Sequence, residues 1–460
     1  MSYSSADDKA DNKFMETEPM VRLIMRFALP AMVGMVAGAI YNIVDRIFVG
    51  RYVGSYGLAA ISVSFPSMLC MIAFVLFICT GGASRVSIML GAKKQKEAER
   101  ALGAAFVMLG AVAAFFMLLS FFGAEKMLKL SGADDNILPS ALAYLRILLF
   151  CAPLGLFGFA GNSLVRASGS PRYAMCSQLI GALSNIALDA LFIAGLGMGV
   201  KGAAYGTVIA QGISAAVSLA YFTRKSSYLR IRARFITIPR LDIVKRICSV
   251  GLSPFLVELS FVVFMTLMNR FVALYGGNDG LSAVGIFLSI DSLLFLPAMA
   301  IAEATQPVIG YNYGAGLPPR VREAIKYALC LTIGLYIISF FAAELFAEEM
   351  MRLFTSDENI LAVGVPGMRI GYMGMPFMGI TLVTLSALHG LGKGGMSLAL
   401  SFCRHALCMF LPLLTLPRFF GMTGVWMAYP VSDFGGGLIS LCFLVWVLRW
   451  LKSPGALSVR

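Results

Sequence analysis

Long apolar runs separated by short polar breaks fill the chain from about residue 23 to residue 450. Twelve such runs lie at roughly 23–48, 58–88, 99–122, 139–164, 173–196, 202–223, 245–274, 282–308, 323–346, 364–388, 396–418 and 424–450. Each is long enough to cross a ~30 Å hydrocarbon layer as a helix. Lipid admits only helices or closed barrels, and these runs are too continuously apolar for barrel strands. The pattern predicts an all-α integral membrane protein with about 12 transmembrane helices.

Composition agrees. Hydrophobic residues make up 59% of the 460 and charged residues only 13%, where a soluble domain carries roughly a quarter charged. The polar opening, residues 1–20, predicts no cleavable signal peptide. The nine cysteines lie in or beside apolar runs without a Cys-x-x-Cys, which predicts small core residues rather than disulfides or metal ligands.

The net charge of +13 could suggest a nucleic-acid partner, but its distribution points elsewhere. The even-numbered loops and the two tails hold 25 of the 37 Lys and Arg, including the runs 93–100 and 224–246, whereas the odd-numbered loops hold six. The positive-inside rule then places both termini in the cytoplasm of a cell (plasma or inner) membrane. The charge sets topology and implies no nucleic-acid partner. Arg22, Arg26 and the basic 224–246 run are expected to meet anionic lipid.

That basic run also divides two copies. Pro30 recurs as Pro254, Gly91-Ala92 as Gly314-Ala315, Pro153 as Pro376, and Gly202 as Gly424, all at nearly the same spacing. A nearly constant offset over half a chain predicts two pseudo-symmetric six-helix lobes. The expected divisions are a tail at 1–22, an N-lobe at 23–223, a linker at 224–244, a C-lobe at 245–450 and a tail at 451–460. Six helices per copy give both lobes one orientation, and transporters of that design hold substrate between their halves.

Carboxylates are costly in lipid and default to function. Asp45, Asp189, Glu258, Asp291, Glu303 and Asp433 fall inside predicted helices. Asn185 and Asp189 stand four apart and share a helix face. Thr207 lies as far after the turn at Met198 as Asp189 lies before it, so both sit at similar depth. Asp45 approaches the same level from the first helix. Two carboxylates, an amide and a hydroxyl suit a proton or a small hard cation such as Na+; no dedicated metal motif is present. The repeat positions of Asp45, Asn185 and Asp189 are Asn269, Cys408 and Pro412, so this acidic cluster belongs to the first copy alone. Glu258, Asp291 and Glu303 would give a central cavity a negative field unless they pair internally with Arg270 or Arg404. His389 and His405, on separate helices, are the only histidines.

These stretches bring a family into view. Leu29-Pro30 through Tyr41-Asn-Ile-Val-Asp45-Arg-Ile-Phe-Val-Gly50 is one. The Asn185…Asp189 pair with Gly197-Met-Gly-Val-Lys-Gly-Ala-Ala204, and Gln306-Pro-Val-Ile-Gly-Tyr-Asn-Tyr-Gly-Ala315, are the others. Together they resemble the multidrug and toxic compound extrusion (MATE) family, in its bacterial, MepA-like branch, over nearly all of residues 20–450. The resemblance implies secondary active export of organic, cationic compounds by antiport against protons or sodium. Its N-lobe cation site falls on Asp45, Asn185, Asp189 and Thr207. Glu258 matches an acidic position of helix seven in some members, while the helix-ten acid of others has no counterpart in 364–388. The chain is expected to work as a monomer in lipid, on small organic substrates, with no cofactor beyond the coupling ion. A flippase for lipid-linked saccharides or another amphiphile is the alternative, since related proteins share the architecture. No metalloprotease or nucleophile-elbow motif appears, so an enzyme is not expected.

Overall fold

The computed structural model describes residues 13–224, 228–232, 235 and 239–453. The outer part of each tail and much of the basic linker lie outside the described residues. Helices account for almost everything described, and no strand occurs among those residues.

Eight helices are long and apolar enough to span a membrane, and ten if each of two bent pairs is one span. The two longest contain more than one pass. The 74-residue stretch Leu241–Gly314 would extend about 110 Å at 1.5 Å per residue, several times the bilayer core. It leaves helical geometry at Gly277 (φ 57°, ψ −150°), and Gly280 then lies back against Val272. Leu411–Trp450 breaks at Gly421 (φ 56°, ψ −132°) in the same way, with Gly424 folded onto the Leu416 carbonyl. The left-handed region admits glycine at no steric cost, which is why these hairpins need no longer loop.

Twelve passes result among the described residues. They are α1 (Met20–Tyr52), α2 (Ser55–Gly91), α3 (Gln95–Phe122), α4 (Leu138–Phe150 with Ala152–Ala167), α5 (Pro171–Gly195) and α6 (Gly199–Thr223) in the first half. In the second half they are α7 (241–276), α8 (278–314), α9 (Pro318–Leu345), α10 (Glu358–Tyr372 with Met375–Gly390), α11 (394–420) and α12 (422–450).

The repeat is written in the backbone itself. Positive φ at Gly54, Lys93, Gly169 and Gly199 recurs at Gly277, Gly316, Gly392 and Gly421, with an offset that is constant to within one position. The bend of 56° in α4 recurs as 49° in α10, where the pieces start at Ala152-Pro153 and Met375-Pro376. A proline at the start of a helix is well placed to resume it after such a break.

One expectation is corrected. Cys176, Cys330 and Cys442 are exposed on the outer surface of the bundle, and only Cys79 and Cys408 are buried. An unpartnered helix face toward lipid accepts cysteine as readily as a core does, because both are apolar. All nine are free thiols.

The halves meet along a tight seam near the turns at Lys93 and Gly316. A side chain at Gly91 would strike the Tyr311 carbonyl, and one at Gly314 would strike the Ile88 carbonyl. The two contacts are the same contact viewed from either half. Gly81 and Gly251 approach the backbones of Ile247 and Phe77 with similar closeness. Small residues at such crossings let helices pack backbone to backbone, which is how helices associate in lipid.

Candidate functional site

Between the halves lies a cavity of about 1070 Å³, at the upper end of volumes that take drug-sized ligands. Its walls come from both halves. At one end Arg46, Ser62, Phe65, Asn269 and Gly285 are exposed. At the other, Ala83, Ala302, Pro307 and His389 are buried above the glycine seam. Hydrogen bonds between the halves gather on that second side: Ser84 to the His389 carbonyl (2.5 Å) and Gln306 to the Thr80 carbonyl (3.1 Å). Beyond them, Arg320 donates to the carbonyls of Met15 and Glu18, before α1. The cavity is therefore closed toward the side that carries the termini and open toward the turns at Gly54 and Gly277.

In the first half, α1 and α5 run in the same direction and touch where Gly34 admits the Gln178 side chain. Three turns further along each helix stand Asp45 and Asp189, so the register that joins 34 to 178 also joins the two carboxyls. The two carboxyls lie close enough to act on each other electrostatically. Asp189 is fully buried, and Asp45 and Asn185 nearly so. Oδ1 of Asp45, both carboxylate oxygens of Asp189 and both amide atoms of Asn185 have no hydrogen-bond partner among the described residues. Two carboxylates facing each other are both acceptors, so neither can satisfy the other without a proton or cation between them. Gly206 packs on Asp189 Oδ1 and brings its neighbour Thr207, also buried, to the same level.

Glu258, Asp291 and Glu303 all line the cavity, but they are not equivalent. Glu303 is paired with Arg166 of the other half at 2.8 Å. Among the described residues, no ion pair reaches Glu258 or Asp291. The internal pairing considered from sequence occurs with a different residue: Arg404 faces Asp433 at 3.7 Å, and Arg270 is exposed.

Asp291, Asp433 and Arg404 form a cluster that sequence reasoning did not assemble. Tyr336 and Tyr372 are buried beside it, close to the Asp291 carboxyl. The rings of Tyr372, Trp426 and Tyr429 surround Phe287 at centroid distances of 5.2–5.3 Å. The usable signal was Gly435-Gly-Gly437, because Gly436 lets the Arg404 stem lie on α12 next to Asp433. The two histidines also prove to be linked. His389 Nε2 lies 3.3 Å from the Ser253 hydroxyl, that hydroxyl lies 2.8 Å from Ser401, and His405 Nδ1 lies 2.7 Å from the Ser401 carbonyl.

Two matching six-helix halves around a cleft, with buried carboxylates on one side of it, define a polytopic membrane transporter. The chain belongs to the MatE family, whose model matches residues 30–191 and 254–413, once per half. It is similar to the multidrug export protein MepA of Staphylococcus aureus (strain MSSA476), 25% identical over 95% of this chain and 94% of that protein. The MepA of Staphylococcus saprophyticus is 24% identical over 95% and 96%. Among solved structures, the outward-facing conformation of a multidrug resistance MATE family transporter superposes with a TM-score of 0.89 at 24% identity, covering 96% of this chain and 99% of that one. A transporter of the same superfamily from Pyrococcus furiosus also gives 0.89 at 24% identity, over 97% and 99%; its reversed pocket polarity is said to suggest a different function.

Proposed function

We propose that this protein exports organic cations across the cell membrane by antiport against protons or sodium, as a monomer in lipid with both termini in the cytoplasm. The observation that carries the reading is the Asp45–Asp189 pair with Asn185. It is a buried acidic cluster with no ion pair among the described residues, Arg46 acting on Asp45 only through its field, held beside a cavity that opens to one side only. In lipid such a pair is stable once a proton or cation occupies it. Thr207 would complete the oxygen set for a hard cation.

The step follows from the geometry. With the termini inside, this conformation opens outward, and the coupling cation reaches Asp45 and Asp189 from there. Its binding neutralises their repulsion and draws α1 and α5 together. Because the cluster has no copy in the second half, the pull is one-sided and biases one lobe against the other. Substrate released from the cavity is then replaced by ion, and the halves rock about the seam.

The pocket's polarity supports export of cations over flipping of an anionic headgroup. Arg166 and Arg404 are each engaged by a carboxylate; among the described residues Glu258 and Asp291 have no ion-pair partner, and Arg46, at the cavity's open end, is the lining arginine left unengaged. A phosphate-bearing lipid would meet repulsion where an organic cation meets attraction.

Reconstituted vesicles test the proposal, with a sodium gradient or a pH gradient imposed separately and a fluorescent dye cation supplied. Dye movement that follows one gradient and collapses with it is the expected result. Dye movement indifferent to both gradients would remove antiport.

A further inference from the structure

Arg166 and Glu303 are joined across the two halves at the closed floor of the cavity, far apart in the chain. Both side chains line the cavity and are only partly exposed, 13% and 27%. The internal repeat turns Arg166 into His389 and Glu303 into Thr80. At that related place the floor is closed by neutral bonds to backbone, from Gln306 and Ser84. One side of the pseudo-twofold thus carries a charge pair and the other does not. The seam beneath is shape alone, glycine against carbonyl, and needs no charge to close.

A buried ion pair is a poor way to add stability, since desolvation offsets most of the attraction. It is a good way to give one carboxylate two successive partners. We infer that Glu303 exchanges Arg166 for the cationic cargo: it binds the cargo when the floor is open and surrenders it to Arg166 when the floor shuts. This rests on the export reading above. For α8 to part from α4, the pair must separate and leave Glu303 at the mouth of the newly opened face. There it is the acid a cation entering from the terminal side meets first. On closure Arg166 returns at contact distance, tethered to the same chain, and its high effective concentration displaces a freely diffusing cation. The displaced cargo is left in a cavity that now opens the other way.

The exchange makes Arg166 a competitor of the substrate. Purified full-length protein would be titrated with tetraphenylphosphonium and, as the uncharged match, triphenylphosphine oxide. R166Q should bind the cation about tenfold tighter than the parent and the neutral compound equally well. R166K keeps the competing charge and should behave as the parent. Adding E303Q to R166Q should erase the gain. No gain in R166Q, a gain equal for both probes, or a gain that survives E303Q would each overturn the exchange. A parent protein that binds neither probe would instead overturn the export reading on which it rests. Unfolding of R166Q is excluded by the neutral probe, which must still bind.

Discussion

The two halves share a backbone and differ in where they keep their charge. Left-handed turns, bent fourth helices and seam glycines recur from one half to the other at an almost fixed offset. The acids do not. In the first half Asp45 and Asp189 face one another, buried and with no ion-pair partner among the described residues. In the second, Asp291 and Asp433 stand near Arg404 among tyrosines and line the cavity. What recurs is scaffold, because any six-helix half must turn and pack at those points. What does not recur is free to serve something only one half does. Under the proposed antiport, the first half would take the coupling ion and the second the cargo.

The largest effect should come from removing the charge peculiar to the first half. Asp189→Asn keeps the shape of the side chain and should abolish gradient-driven export while leaving dye binding in detergent intact. Asp291→Asn, its opposite number in the second half, should keep transport coupled to the gradient and weaken cation affinity. Asn269→Ala, at the repeat position of Asp45, should be mild. Equal loss of coupling in Asp189→Asn and Asp291→Asn would dissolve the division of labour between the halves.

Much of this was legible without coordinates, for reasons particular residues make plain. Hydropathy marks each pass because lipid demands unbroken apolar helices, and Gly277 and Gly421 fall in the short breaks where their hairpins must turn. Asn185 and Asp189 announce themselves by spacing on one face. The partners of the remaining charges were not legible. Arg166 reaches Glu303 across the interface between the halves, and no periodicity encodes a contact so remote in sequence. Arg404 was visible as a buried base, but its choice of Asp433 depends on Gly436 admitting its stem. The cavity's closed side was likewise invisible, since it rests on contacts between residues remote in sequence, such as Ser84 on the His389 carbonyl and Gly91 against Tyr311.

A middling effect should sharpen the comparison through stability. Arg404→Met leaves Asp433 without its cation. Breaking a buried pair costs about 3–5 kcal/mol, but a 3.7 Å separation and 18% exposure of Asp433 argue for roughly half of that here. The expected loss is about 2 kcal/mol, read as a lowered melting temperature in detergent, and Arg404→Met/Asp433→Leu should recover most of it. Asp45→Asn should not destabilise, because it removes one of two carboxylates that already lack partners. If Asp45→Asn proved the more damaging, the first-half pair would be the structural one and the assignment of the halves would reverse.

The smallest effect belongs to Glu258, which lines the cavity from α7 without an ion-pair partner among the described residues. Its charge acts on cargo by field alone. A monovalent cation held at about 4 Å would gain roughly 4 kcal/mol at an effective dielectric of ~20, and half that at twice the distance. The cavity is open to water on this side, so the dielectric is higher and the gain lies nearer to about 1–2 kcal/mol. Glu258→Gln should therefore weaken binding of a dye cation about tenfold, with each tenfold worth ~1.4 kcal/mol. A matched neutral dye loses at most a hydrogen bond. The measurement is a panel of charged and uncharged dyes titrated against both proteins in detergent. Equal losses across the panel would make Glu258 a packing residue of α7. A loss confined to cations, and smaller than that of Asp291→Asn, would rank the two free acids of the second half by their depth in the cavity. It would also place the cation preference in the half that lacks the coupling pair.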